Sequence, residues 1–116
     1  MRTVIPLLLS LSFPFLAQAR DADAAAGKAV AVAICSACHS IGPRDPGPEG
    51  AERRGPDFVV LAARTDLTAE KIRVFLKTTN LLRDAPLGMP NPKLSEDQIA
   101  DVIAYVFSLR GADSQR

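Results

Sequence analysis

The sequence contains no tryptophan, and it has one histidine, one tyrosine and two cysteines in 116 residues. It also lacks an excess of either charge, because 14 basic residues stand against 13 acidic ones. A chain with no basic excess and no set of aromatic residues for base stacking is not expected to bind nucleic acid. With so few large aromatic side chains, a domain of this length has a modest core, and a cross-link or a large cofactor would stabilise it.

The first 19 residues have the pattern of a secretory signal peptide. Arg2 precedes a mostly apolar run from Val4 to Leu16, and Ala17-Gln18-Ala19 has the small residues of a cleavage site. We therefore expect cleavage after Ala19, export to the periplasm and no stable membrane anchor in the mature protein. The alternative is a membrane anchor, although this run is shorter than the ~20 apolar residues of a membrane-spanning helix. Cleavage would leave one domain, residues 20–116.

Three segments of residues 20–116 have helical patterns. The first is rich in alanine, leads into the cysteines, and can begin at Asp21 or Asp23 as N-cap. The second follows Thr68 as N-cap and carries the apolar stripe Ile72, Phe75 and Leu76. The third begins with the capping-box pair Ser95 and Gln98, and its apolar stripe is Ile99, Val102, Ile103, Val106 and Leu109.

The remaining segments predict loops and no strands. Clusters of proline and glycine separate the helical segments, and Gly111 is expected to end the last helix. The apolar segment 58–64 is too short to assign from its periodicity. The sequence therefore predicts an all-α domain with three main helices joined by long loops.

The two cysteines and the one histidine fall within five positions, in the stretch Cys35-Ser36-Ala37-Cys38-His39. Several chemistries use a C-x-x-C pattern. An exported protein can oxidise the pair to a disulfide, whereas a thioredoxin-like redox pair accompanies a βαβ pattern that this sequence lacks. Structural zinc usually has four protein ligands, and the chain offers only three cysteine and histidine residues.

The pattern C-x-x-C-H is also the attachment site of c-type haem. In this interpretation the sulfur atoms of Cys35 and Cys38 each bond covalently to a vinyl group, and His39 places an imidazole nitrogen on the iron. We predict one covalent haem c per chain, bound by these three residues. The haem would also supply the large apolar group that the core lacks.

A second axial ligand of the iron has to come from another residue type, because the chain has no second histidine and no third cysteine. A methionine thioether is the next usual ligand. Apart from Met1, the sequence contains one methionine, Met89, in a loop rich in proline and glycine. We therefore predict His39 and Met89 as the axial iron ligands. The alternative for Met89 is an apolar residue that fills a gap in the core.

These motifs resemble those of the small class I c-type cytochromes, and the resemblance covers nearly all of residues 20–116. It rests on CSACH, on Gly55-Pro56, on GMPNPKLS and on DVIAYVFSL. It implies a small cytochrome c-like fold, with long loops wrapped around one covalent haem. It also implies that the loop with Met89 precedes a C-terminal helix, which crosses the N-terminal helix.

The resemblance further implies roles for single residues. Gly27 and Tyr105 match the crossing of the two helices, and Ala31 occupies a position that is often aromatic in the family, which implies a closer or differently packed crossing. Pro56 matches the proline whose carbonyl oxygen accepts a hydrogen bond from the ligand histidine. Such a bond would fix the ring and raise the basicity of its other nitrogen.

The leading functional hypothesis is an exported one-electron carrier rather than an enzyme, because two axial ligands leave no position on the iron for a substrate. An electron-transfer subunit of a dehydrogenase or oxidase would use the same residues. A haem peroxidase or gas-binding protein would require Met89 to be labile or absent from the iron. The expected partners are redox proteins whose identity the sequence does not give. Eight basic against four acidic residues between positions 53 and 93 predict either a positive rim that attracts acidic partners or a solvated mixed surface.

Overall fold

The computed structural model describes residues 20–50, 55–79 and 88–112, and the predicted signal peptide lies outside them. These stretches contain no strand and four α-helices: α1 (Ala24–Ile34), α2 (Phe58–Ala63), α3 (Ala69–Thr78) and α4 (Glu96–Ser108). One 3-10 turn, Cys35–Ala37, follows α1 directly. The all-α prediction is confirmed. No helix in the described stretches is long and apolar enough to cross a membrane.

The three main helices begin where the sequence predicts their caps. The Asp23 carboxylate accepts hydrogen bonds from two amide groups in the first turn of α1. The Thr68 hydroxyl accepts one from the first turn of α3, and Ser95 and Gln98 form the reciprocal capping box of α4. Each cap supplies an acceptor to amide groups that have no partner within their own helix.

Helix α2 lies in the segment 58–64, whose secondary structure could not be assigned from the sequence. Its six residues make fewer than two turns, so no periodicity can develop along them. A helix this short is not stable alone, and tertiary packing supplies its stability. Phe58, Val59 and Ala62 are buried on its inner face, which joins the core formed with α4.

The core lies mainly along α4, which packs against each of the other three helices and most extensively against α1. All five residues of its predicted stripe are buried: Ile99, Val102, Ile103, Val106 and Leu109. The stripe of α3 is narrower than predicted. Leu76 is buried and Ile72 is half-buried, whereas Phe75 leaves 43% of its surface exposed.

The crossing of α1 and α4 brings the two backbones into contact. A Cβ atom at Gly27 would lie 1.9 Å from the carbonyl oxygen of Asp101 and 2.9 Å from Cβ of Tyr105. Ala31, one turn further along α1, is completely buried. The small residues on α1 therefore permit a close crossing, in agreement with the resemblance.

Candidate functional site

Three of the candidate site residues, Cys35, Cys38 and His39, lie in the single turn that follows α1. The amide groups of Cys38 and His39 both donate to the carbonyl oxygen of Cys35, at 3.1 and 2.9 Å. This turn holds the two thiols three positions apart and places the imidazole beside the second one. Cys35 and His39 are buried, and Cys38 is half-buried.

The two cysteines are free thiols in this structure, so the disulfide alternative is not formed. Burial raises the pKa of the Cys35 thiol, which keeps it protonated at neutral pH. Within residues 20–50, 55–79 and 88–112, no three His, Cys, Asp or Glu side chains are arranged to hold a bare metal ion. A zinc site is therefore not supported among the described residues.

The imidazole of His39 is fixed by a backbone acceptor from a distant part of the chain. Its Nδ1 lies 2.7 Å from the carbonyl oxygen of Pro56, and the ring is 7% exposed. Because a carbonyl oxygen only accepts, Nδ1 carries the proton of this hydrogen bond, which places the lone pair of a neutral ring on Nε2. This nitrogen can bind a metal, and the hydrogen bond to Pro56 increases its basicity. The contact agrees with the role that the resemblance implies for Pro56.

Gly55 and Phe58 complete the surroundings of the ring. The Gly55 amide donates to the Cys38 carbonyl oxygen at 2.6 Å, and a Cβ atom at Gly55 would lie 2.3 Å from Cε1 of His39. The rings of Phe58 and His39 are tilted by 55°, with centroids 5.4 Å apart. The imidazole therefore has little freedom to rotate or to shift.

A second set of hydrogen bonds fixes the loop behind this site. The Phe58 amide donates to the Ser40 carbonyl oxygen at 2.9 Å, and the Tyr105 hydroxyl donates to the Ile41 carbonyl oxygen at 2.6 Å. Burial and the nearby charge of Asp45 raise the pKa of Tyr105, so its hydroxyl keeps the proton that it donates. Helices α2 and α4 are thereby joined to the chain immediately after His39.

Met89 lies apart from that turn, in the irregular segment 88–95 that leads into α4. It is half-buried and packs against the hydrophobic core. Its carbonyl oxygen accepts a hydrogen bond of 2.7 Å from the Thr79 hydroxyl at the end of α3. The structure therefore brings Cys35, Cys38 and His39 together, and it fixes Met89 on a separate segment.

The residues of this site fit a covalently attached haem. They provide two free thiols at the spacing of the attachment pattern and, directly after them, a buried imidazole with Nε2 available. The absent side chain of Gly55 leaves the space that the imidazole occupies. A neutral, oriented histidine is the form that binds haem iron.

A family model for cytochrome c matches residues 24–110, which is most of the chain. The chain belongs to the cytochrome c family. It is also similar to cytochrome c-552 of Bradyrhizobium diazoefficiens, with 34% identity over 89 residues that make up 77% of each chain. No solved structure matches the chain significantly. These findings confirm the predicted small class I c-type cytochrome with covalent haem c, and its general function as a haem electron carrier.

The sequence does not predict three features of this structure: the contact of Gly55 with the His39 ring, the hydrogen bond from Thr79 to the Met89 carbonyl oxygen, and the burial of Asp101. The first two join residues that are distant along the chain, and a single sequence carries no signal for them. Asp101 lies outside the predicted apolar stripe of α4, so its burial gave no signal in the sequence either.

Proposed function

We propose that the protein is an exported one-electron carrier in the periplasm, formed by residues 20–116 after cleavage of the signal peptide. When bound, the haem supplies an iron that gains and loses a single electron. The residues that we assign to it are two covalent anchors and two axial ligands: Cys35, Cys38, His39 and Met89. The protein's own work is to hold these groups in place and to exclude other ligands.

The observation that carries this proposal is the state of His39. The ring is buried, its Nδ1 donates to Pro56, and its Nε2 remains as an acceptor directly after the two thiols. Such a ring needs little reorganisation to bind iron, since its tautomer and orientation are already set. The same contacts would hold the imidazole in place when the charge of a bound iron changes, which suits a carrier.

Met89 is the candidate that distinguishes a carrier from a catalytic haem protein. A thioether is a soft ligand that favours ferrous iron, and its pairing with histidine raises the reduction potential. As a ligand it would also take the position that a peroxidase or a gas-binding protein keeps available. The half-burial of Met89 and its fixed carbonyl support this assignment.

The experiment that tests the assignment is a spectrum of the ferric protein before and after Met89→Ala. We expect the wild type to be low-spin at neutral pH, with the weak sulfur-to-iron charge-transfer band. The substitution should abolish that band, lower the reduction potential and allow azide or cyanide to bind. The haem should stay attached, because both cysteines are unchanged.

A matched control is Lys93→Ala, which alters an exposed residue of the same segment. An amine ligates iron only when deprotonated, which is costly for a group with a free pKa of about 10.4. The control variant should therefore keep the wild-type spectrum. A wild-type protein that is high-spin and binds azide readily would contradict the carrier and favour a catalytic or gas-binding protein.

A second candidate function is an electron-transfer subunit of a larger complex. Val32 and Ile34 on α1 leave 54% and 41% of their surfaces exposed. Apolar side chains at this level of exposure favour contact with another protein when they form a continuous patch. The size of the assembly that contains the protein in a native extract distinguishes a free carrier from a bound subunit.

A further inference from the structure

The end of α3 is joined directly to the backbone of Met89. Thr79 follows the last residue of α3, and its amide still donates to the Phe75 carbonyl oxygen in the helical manner. Its hydroxyl donates to the Met89 carbonyl oxygen at 2.7 Å, and the residue is 4% exposed. One residue therefore belongs to the helix through its backbone and to the methionine segment through its side chain.

A second connection joins the same helix end to the chain just after Met89. The Asn91 side-chain amide donates to the Lys77 carbonyl oxygen at 3.1 Å, and its side-chain oxygen accepts from the Lys93 amide at 2.8 Å. The last carbonyl groups of a helix have no partner within the helix, so Asn91 satisfies one of them. Met89 is therefore bonded to the end of α3 through its own carbonyl group. Asn91, two residues later, forms the second attachment to the same helix end.

These contacts bear on how firmly Met89 is held. The bond from the buried Thr79 is partly buried, and without it the carbonyl oxygen of Met89 would lose its donor. Because that carbonyl belongs to the same residue as the thioether, fixing it restricts where the sulfur can move. A weak ligand depends on such support from the residues behind it.

We propose that Thr79 is a positioning residue for Met89, with Asn91 as the second attachment. Their hydrogen bonds slow the departure of the Met89 sulfur from the iron. They do not change which atom binds the iron, since the ligand is the thioether of Met89 itself. This inference rests on the proposed function, in which Met89 is the axial ligand. It assigns to the end of α3 the control of how readily an outside ligand replaces methionine.

The test is the rate at which imidazole replaces methionine in the ferric holoprotein, measured by loss of the charge-transfer band. At saturating imidazole this rate reports the departure of the sulfur. Thr79→Val removes the hydroxyl at nearly constant shape and should raise the rate about fivefold, as expected for one lost hydrogen bond. Thr79→Ser keeps the hydroxyl and should stay near the wild-type rate.

The neighbouring threonine provides a matched control. The Thr78 hydroxyl donates to the Val74 carbonyl oxygen within α3, at 2.8 Å, and the residue is exposed. Thr78→Val should therefore leave the rate unchanged. Equal rates of methionine replacement in Thr79→Val and Thr78→Val would overturn the proposal. The hydrogen bond from Thr79 to Met89 would then have no effect beyond that of replacing any threonine in this region.

Asn91→Ala is a second variant in case the buried substitution prevents folding. Asn91 is half-buried, and its loss should also raise the rate several-fold. An unchanged rate in this variant would overturn the role of the second attachment. The failure of the proposed function has a different signature: the wild-type ferric protein would then lack the charge-transfer band and bind azide readily, whatever the variants at positions 79 and 91 do.

Discussion

Gly55 is important for the space that it leaves empty. Its backbone is not in the left-handed region, so conformational freedom is not the reason for glycine here. The reason is the ring of His39, since a Cβ atom at position 55 would lie between 2.3 and 2.8 Å from three of its atoms. The hydrogen bond from the Gly55 amide to Cys38 keeps the backbone from moving away.

We expect Gly55→Ala to displace the imidazole of His39. Overpacking of this kind usually costs about 1–3 kcal/mol in the free energy of unfolding. The displaced ring would also lose alignment with the Pro56 carbonyl oxygen, so the ferric spectrum should change. Chemical denaturation of the holoprotein measures the first effect, and an absorption spectrum measures the second.

Gly42→Ala is the control for this substitution. A Cβ atom there would lie 3.5 Å from the Tyr105 hydroxyl oxygen, an ordinary contact. Its free energy of unfolding should stay within about 0.5 kcal/mol of the wild type. If the two alanine variants are equally stable and have the same spectrum, the close contact at Gly55 does not constrain the ring.

For single residues, the sequence predicts those members of the site that are close together along the chain. Cys35, Cys38 and His39 share one turn, so their spacing alone indicates a common site. The partners that orient them come from elsewhere in the chain. Pro56 was identified through a resemblance and not through spacing, and the contact of Gly55 with the ring appears only once the loop is folded.

Among the elements, the crossing of α1 and α4 contains a buried acid. Asp101 is 4% exposed and accepts hydrogen bonds from the Asp23 amide at 2.8 Å and the Arg20 guanidinium at 2.7 Å. These hydrogen bonds hold the pKa of Asp101 below its usual value, and the bond from the Asp23 amide contributes most to this effect. The carboxylate therefore joins the start of α1 to the middle of α4 in its charged form.

This arrangement predicts a pH-dependent stability. Asp101 stabilises the fold above its unfolded pKa of about 3.9, and the contribution disappears as the pH falls through the lower folded pKa. Asp101→Asn should thus be less stable than the wild type at about pH 7, and should lose less stability between about pH 7 and pH 3. Thermal unfolding across this range is the measurement.

Asp21→Asn is the matched control, since Asp21 is an exposed acid on the same N-terminal segment. It should leave both the stability and its pH dependence close to those of the wild type. A pH profile of Asp101→Asn that runs parallel to the wild-type profile would show that the carboxylate titrates alike in the folded and unfolded states.

Elements were predictable where their signals are local. The capping box of Ser95 and Gln98 and the apolar stripe behind it determined α4 from the sequence. Helix α2 had no such signal, because six residues held by tertiary packing look like any short apolar segment. The exposure of Phe75 was likewise not predictable, since periodicity gives the direction of a face and not its width.

At the scale of the molecule, the ion pairs of residues 55–79 and 88–112 favour a mixed surface there rather than a positive rim. Arg64 pairs with Asp66, and Lys77 pairs with Glu96. Arg73 pairs with both Glu70 and Glu96, so three cations face three carboxylates. Exposed pairs of this kind add little stability, but they do neutralise charge. Among the residues that the structure describes, three of the cations behind the predicted rim are therefore compensated. Attraction of an acidic partner is correspondingly weaker than the sequence suggested.

The proposal of export predicts a single mass for the denatured protein isolated from the periplasm. We expect residues 20–116 plus one haem, because thioether bonds survive unfolding and cleavage after Ala19 makes Arg20 the first residue. That chain keeps the ion pair of Arg20 with Asp101. A double variant, Cys35→Ala with Cys38→Ala, should have the same N-terminus and no haem. A wild-type mass that corresponds to residues 1–116 would contradict cleavage and favour an anchored protein. A mass that lacks the haem would contradict covalent attachment.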